Sequence, residues 1–470
     1  MRNKLLFILF CMMFVKGTAQ VDSVDVFADT IVIDTVDVII SDNVMTNTSV
    51  LKPLFEKLYR LEQEKSGKVN IVHIGDSHIQ ADLFTGVIRK KLQEKFGNAG
   101  CGFSFPHSLA KTNGGHYVRY ASNASWSSRK NISTPDGTVI GLSGIGLSTR
   151  EDFAIELNVR DTSYGFNTIK IITPKNKLLF DVATSSKEIK LESTVPKKIT
   201  HKIKSGEVLG SIAEKYDVSI TQIKKLNGLK SDNIRAGRTL KIPTNEKQKK
   251  IIKRSEFIPL GLTEDAFSNY YHSDEPLSKL YLLPNKEAKE YNLSGLVLEK
   301  DEPGVLYHSI GVNGAKCSDY NKYPLFFEQL PALQPDLVII SLGTNESFDK
   351  MTAQDYIVQL NLFIDNVKAK NPNTAILVIT PPPSLFKKKY PNTFAADYAK
   401  NILMQETAKN YASWDMFSVI GGLFSVPRNA AKGLISTDRV HYTRQGYEKQ
   451  GRQFSKAFIE AYNNFKTNRN

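Results

Sequence analysis

The sequence predicts an α/β protein: a three-layer, largely parallel sheet, interrupted by a β-sandwich-like insert that itself carries a small βααβ unit. Three observations predict it. Strands of the buried type, KVNIVHI (68–74), QPDLVII (334–340) and NTAILVI (373–379), are each followed by helical patterning, which marks a parallel sheet covered on both faces. Short strands separated by turn residues fill 116–196 and resume over 279–300. Between them, residues 201–243 read as strand, helix, helix, strand.

In chain order, MRNKLLFILFCMMFVKGTAQ has a basic start, a short apolar run and small residues at Gly17, Thr18 and Ala19. This is the pattern of a signal peptide, residues 1–19, and implies export to the periplasm or cell envelope. The run is shorter than the roughly 20 residues a spanning helix needs. No later segment is more apolar, so no transmembrane segment is expected in the mature chain. Bulky Phe10 before Cys11 speaks against a lipid anchor there. Residues 20–50 form an acidic spacer, with six aspartates and no Lys or Arg in 21–50, and its apolar alternation leaves an edge strand open.

Residues 51–115 hold the first part of the α/β domain. IVHIGDSHIQ (71–80) carries Ser77 off the end of a strand into a helix, where open α/β sheets place their ligands. Gly75 would permit the turn. In ADLFTGVIRKKLQEKFG, Leu83, Val87, Ile88 and Leu92 share a helical face. Taken alone, GDS is short and common, and reads equally as a helix N-cap.

The β-rich insert begins at 116–198 and returns, after a linker, within 245–303. The unit between them, 199–244, has a strand HKIK, a turn at Ser205–Gly206, inward Val208, Leu209, Ile212 and Ala213, and a second helix with Ile220, Ile223 and Leu226 inward. Of the net charge of +14, residues 197–254 supply +11, from 16 basic and 5 acidic residues. Charge confined to one small unit, without a nucleic-acid motif and behind an export signal, does not point to nucleic acid. Residues 304–470 complete the α/β domain and end in STDRVHYTRQGYEK, a loop running into a helix. Cys101 and Cys317 leave room for one disulfide. No metal-ligand spacing and no phosphate loop is present, so no metal or cofactor is expected.

Four segments taken together, GDSH (75–78), GVNGA (311–315), GTNE (343–346) and DRVH (438–441), resemble in order the blocks of the SGNH, or GDSL-like, hydrolase superfamily. The resemblance covers residues 51–115 and 304–470 and implies an SGNH-type fold with serine esterase chemistry. It implies Ser77 as nucleophile, His441 as base and Asp438 as the carboxylate orienting it. A serine hydroxyl needs a base to remove its proton, and that base must be held in one tautomer. His78 adjoins Ser77 on the same turn and is expected to line the wall. The implied oxyanion donors are the backbone N–H groups of Ser77 and Gly314 and the amide of Asn345. A glycine in GLSGIG (141–146) is the alternative to Gly314. Glu346 departs from the Asp that many members carry. Peptidoglycan O-acetylesterases in the superfamily tolerate that Glu and carry a β-sandwich in the same place.

Residues 201–243 resemble a LysM module, which implies binding of peptidoglycan or another N-acetylglucosamine-containing glycan. Its groove would be formed by Ser205, Gly206, Glu207, Val208 and Leu209 with Asn233, Ile234, Arg235 and Ala236. Glu207 and Val208 depart from the usual Asp-Thr. The expected function is therefore an exported esterase removing O-acetyl groups from peptidoglycan. The alternatives are an esterase of another acetylated polysaccharide and a non-catalytic wall-binding scaffold.

Overall fold

The computed structural model describes residues 42–191, 194–249 and 252–469. The leader assigned to 1–19 and most of the acidic spacer lie outside them. Among the described residues no helix is long and apolar enough to cross a membrane.

Six strands form the central sheet: β1 (Met45–Thr46), β2 (Lys68–Gly75), β3 (Gly304–Gly311), β4 (Leu337–Ser341), β5 (Ala375–Ile379) and β6 (Ala412–Trp414). Their order is β1-β6-β5-β4-β2-β3, parallel except for β1. The edge strand left open by the alternation in the acidic spacer (24–40) lies outside the described residues.

Alternation within each strand builds the layers. Val69, Ile71, Leu337, Ile339 and Leu377 face one core with the helices Lys52–Glu64, Leu83–Phe96 and Arg444–Thr467. Val72, Ile74, Val338, Ile340 and Val378 face the other, packed by Tyr320, Phe326, Tyr356, Phe363 and Tyr398. Helix Leu83–Phe96 buries Phe84, Ile88, Arg89 and Leu92. Its inner face is therefore rotated from the expected one, because it packs on the sheet and on helix Arg444–Thr467 at once.

The insert has two five-stranded sheets and a three-stranded one, with every ladder antiparallel. One of its strands, Gly102–Ser104, pairs with Gly295–Glu299 and lies upstream of residue 116, where the sequence places the start of the insert. The Phe103 N–H donates to His308 Nδ1 on β3 at 3.0 Å, and the insert's apolar residues join the core of the second sheet face. The β-rich part is thus fused to the α/β domain rather than tethered to it.

The βααβ unit is different. Strands Thr194–Lys202 and Thr239–Lys249 form a separate two-stranded ribbon, broken by a register shift between Pro196 and Lys198. The ribbon carries helices Leu209–Lys215 and Ile220–Asn227. Ile203, Leu209, Ile212, Ala213, Ile223, Leu240 and Ile242 make a core of their own. Val208, expected inward, is 62% exposed, because it precedes the first helical residue and its side chain leaves the core side.

Cys101 and Cys317 are both buried and both free, so the disulfide left open by the sequence is not formed. Burial pushes the Cys101 thiol up to about 11.

Candidate active site

The carboxyl ends of β3, β2 and β4 are level: Gly311 pairs with Gly75, and Gly75 with Ser341. Ser77 opens the short helix Ser77–Gln80 immediately beyond this line. Gly75 serves close packing rather than a turn with positive φ. A Cβ there would lie 2.3 Å from Ile79 Cγ1 and 2.7 Å from the Ser341 carbonyl oxygen. Asp76 caps the helix, its Oδ1 accepting the His78 N–H at 2.9 Å.

His441 arrives from the loop before helix Arg444–Thr467, which Thr443 caps through the Gly446 N–H. The Ser77 hydroxyl donates to His441 Nε2 at 2.8 Å, and His441 Nδ1–H donates to Asp438 Oδ2 at 2.7 Å. Asp438 Oδ1 accepts the N–H groups of Val440 at 2.9 Å and His441 at 3.0 Å, so the carboxylate is fixed by its own loop. Burial would raise the Asp438 carboxyl, but these hydrogen bonds and the imidazole outweigh it and hold it below the usual range. Ser77, His441 and Asp438 thus stand in one continuous line of hydrogen bonds, the arrangement that a nucleophile, a base and an orienting carboxylate require.

His78 does not reach this line through Ser77. Its Nδ1 pairs with the Tyr447 hydroxyl at 2.9 Å, and its ring lies 5.3 Å from that of His441. Burial first, and the His441 charge second, push its pKa down to about 3, so it stays a neutral wall behind the base.

Gly314 has φ +88, in the left-handed region that favours glycine. Among the described residues neither its N–H nor that of Ser77 has a protein acceptor. Of the glycines in GLSGIG (141–146), Gly144 has its N–H taken by the Gly141 carbonyl at 2.9 Å. The Asn345 amide donates to the Ala315 carbonyl at 2.9 Å and to Asp76 Oδ2 at 3.3 Å. Asp76 was not anticipated from the sequence as a partner of Asn345. It is buried, and its carboxyl is raised to about 7 by burial against the opposing pull of the His78 N–H and His441.

Glu346 is fully buried. Its Oε1 accepts the Cys317 N–H at 2.8 Å, and its Oε2 has no hydrogen-bond partner among the described residues. Burial, then the charge of Asp76, raises its carboxyl to about 7. A carboxyl raised by folding contributes stability below its unfolded value and loses it as the pH climbs toward 7. Glu346→Gln keeps the acceptor for Cys317 and removes the buried charge. At pH 8 the variant should be more stable than the parent by about 1–3 kcal/mol. Melting curves at pH 8 and pH 4.5 check this: the gap should close at the lower pH. A variant no more stable than the parent at pH 8 would refute it.

In the βααβ unit, Glu207 turns inward. Its Oε2 accepts the Lys204 N–H at 2.7 Å and pairs with His201 Nε2 at 2.8 Å. Leu209 is a core residue, 2% exposed. Ser205, Gly206, Val208, Asn233, Arg235 and Ala236 are on the surface, and Ile234 is half-buried against the core.

Residues 291–449 match the GDSL-like Lipase/Acylhydrolase family and residues 201–243 match the LysM domain. The family match contains Gly314, Asn345, Asp438 and His441, and the insert separates it from Ser77. A solved structure of a peptidoglycan O-acetylesterase shares the fold, with a TM-score of 0.61 and 19% identity over 88% of this chain and 96% of that one. Among curated proteins, the probable peptidoglycan endopeptidase LytE of Bacillus subtilis (strain 168) is 54% identical over 43 residues, 9% of this chain and 13% of the relative. Intracellular hyphae protein 1 of Colletotrichum lindemuthianum is 51% identical over 51 residues, 11% of this chain and 22% of the relative. The chain therefore spans less than a quarter of the length of either curated relative.

Proposed function

We propose that the protein is an exported, envelope-associated esterase that removes O-acetyl groups from the muramyl residues of peptidoglycan. The observation that carries this reading is the unbroken chain from Ser77 through His441 to Asp438, set in a fold shared with a peptidoglycan O-acetylesterase. Ser77 Oγ attacks the acetyl carbonyl while His441 takes its proton. The oxyanion is held by the Ser77 and Gly314 N–H groups and the Asn345 amide. Collapse breaks the bond to the sugar oxygen, which leaves with the proton from His441. Water, deprotonated by His441, then attacks the acetyl-enzyme and releases acetate. The formed triad favours this over a non-catalytic scaffold.

The LysM module, residues 199–244, serves as the glycan tether, and the parts 51–115 and 304–470, apart from the insert strand Gly102–Ser104, form the hydrolase. The β-rich segments 116–198 and 245–303 support it. The tether raises the local concentration of ester near Ser77 without a new contact at the site. Its basic surroundings add salt-sensitive attraction to anionic wall polymers.

Acetate release from O-acetylated sacculi, compared with sacculi stripped of ester by mild base, tests the reading. Release is expected from the first alone. In a second arm the module is replaced by a two-residue turn joining Lys198 to Pro243, which already face each other across the ribbon. Turnover of a small soluble ester should stay within about twofold, since the module has its own core. Binding to sacculi should fall, most clearly at low salt. Acetate released from another acetylated glycan but not from peptidoglycan would overturn the substrate, and equal sacculus binding would overturn the tether.

A further inference from the structure

Gln80 closes the short helix that Ser77 opens, and its side chain is only 3% exposed in total residue area. Its carboxamide is used at both ends. Oε1 accepts the Asn313 N–H at 2.6 Å. Nε2 faces three oxygens of the neighbouring turn: Asn113 O at 2.5 Å, Asn113 Oδ1 at 3.0 Å and Thr112 Oγ1 at 3.0 Å. Asn313 Nδ2 also donates to Asn113 Oδ1, at 2.6 Å.

Asn313 is the residue before Gly314. The Val312 N–H is bonded to the Gly75 carbonyl at 3.2 Å, and the Ala315 N–H to the Val312 carbonyl at 3.0 Å. With Asn313 held by Gln80, three of the four amides from 312 to 315 are committed to protein acceptors. The Gly314 N–H alone is left to face a ligand. We propose that Gln80 is a positioning residue of the oxyanion hole: it fixes the turn that aims the Gly314 N–H, with Thr112 and Asn113 as its brace. This rests on the acyl-transfer reading above.

The physical case is preorganisation. A donor stabilises a developing oxyanion fully only if it need not reorient during the reaction. Gly314, with no side chain and a positive φ, has little of its own to hold it still. Gln80 supplies that restraint from the same four-residue helix as Ser77, so nucleophile and donor are referred to one rigid piece.

The test is Gln80→Met, similar in length but without the carboxamide. Losing a direct oxyanion donor costs roughly 10²–10³-fold in kcat, and an aiming residue should cost less, about tenfold. KM for a small acetyl ester should change by no more than about twofold. Affinity for a methylboronic acid, whose tetrahedral adduct on Ser77 places an oxygen in the hole, should fall in step with kcat. A residue needed only for folding would lower the melting temperature without that parallel loss. Asn113→Ala, which removes part of the brace, should act in the same direction by a few-fold, and it decides the matter if Gln80→Met does not fold. Unchanged kcat and boronate affinity in the folded variant would overturn the proposal. If Ser77→Ala leaves turnover intact as well, the acyl-transfer reading itself has failed. If Ser77→Ala abolishes turnover while Gln80→Met does not change it, only the aiming role has failed.

Discussion

Ser77→Ala is expected to lower turnover of a small acetyl ester by roughly 10⁴-fold or more, and His441→Ala to bring it to within about tenfold of the same level. The two groups act as a unit. Without the hydroxyl no acyl-enzyme forms, and without the imidazole the hydroxyl keeps its proton. The 2.8 Å contact between Ser77 and His441, and the 2.7 Å contact behind it, are the geometry this requires. His78→Ala is the control. It removes a neutral ring packed on His441 and should cost no more than about tenfold, by letting the base tilt. The measurement is kcat for each purified variant with melting curves in parallel. Wild-type turnover by folded His441→Ala would remove His441 from the reaction.

The second large effect is Asn345→Ala, with an expected loss of roughly 10²–10³-fold in kcat and little change in KM. The amide matters chiefly once charge has developed on the carbonyl oxygen, so the loss belongs to the transition state. In the resting structure one amide hydrogen is parked on Asp76 at 3.3 Å, a long bond that is readily exchanged for an oxyanion. A loss under about tenfold in kcat for a folded variant would show that the backbone donors suffice.

The central sheet was legible because β4 and β5 are buried on both faces and read as continuous apolar runs, and β2 is rich in buried β-branched residues. Ser77, Gly314, Asn345, Asp438 and His441 were legible as short blocks in a fixed order. Asp76 and Gln80 were not. Asp76 meets Asn345 across 269 residues and Gln80 meets Asn313 across 233, and no local spacing encodes contacts that long. A signal did exist for His73, a polar residue between Val72 and Ile74 in a buried strand. It pairs with Tyr307 at 2.7 Å and Ser341 at 2.6 Å. The strand Gly102–Ser104 was missed because three residues carry too little alternation to assign. The inner face of helix Leu83–Phe96 was misplaced because two neighbours, not one, decide it.

The position of β2 between β3 and β4 has a consequence for the order of synthesis. His73 on β2 and its partner Tyr307 on β3 are 234 residues apart. At roughly 5–20 residues per second, a ribosome needs on the order of 10–50 s to make the second after the first. Throughout that interval KVNIVHI has neither of its partner strands, β3 and β4. On the reading proposed above, Ser77, just beyond that strand, meets its base only after the 364 residues that separate it from His441 have been made.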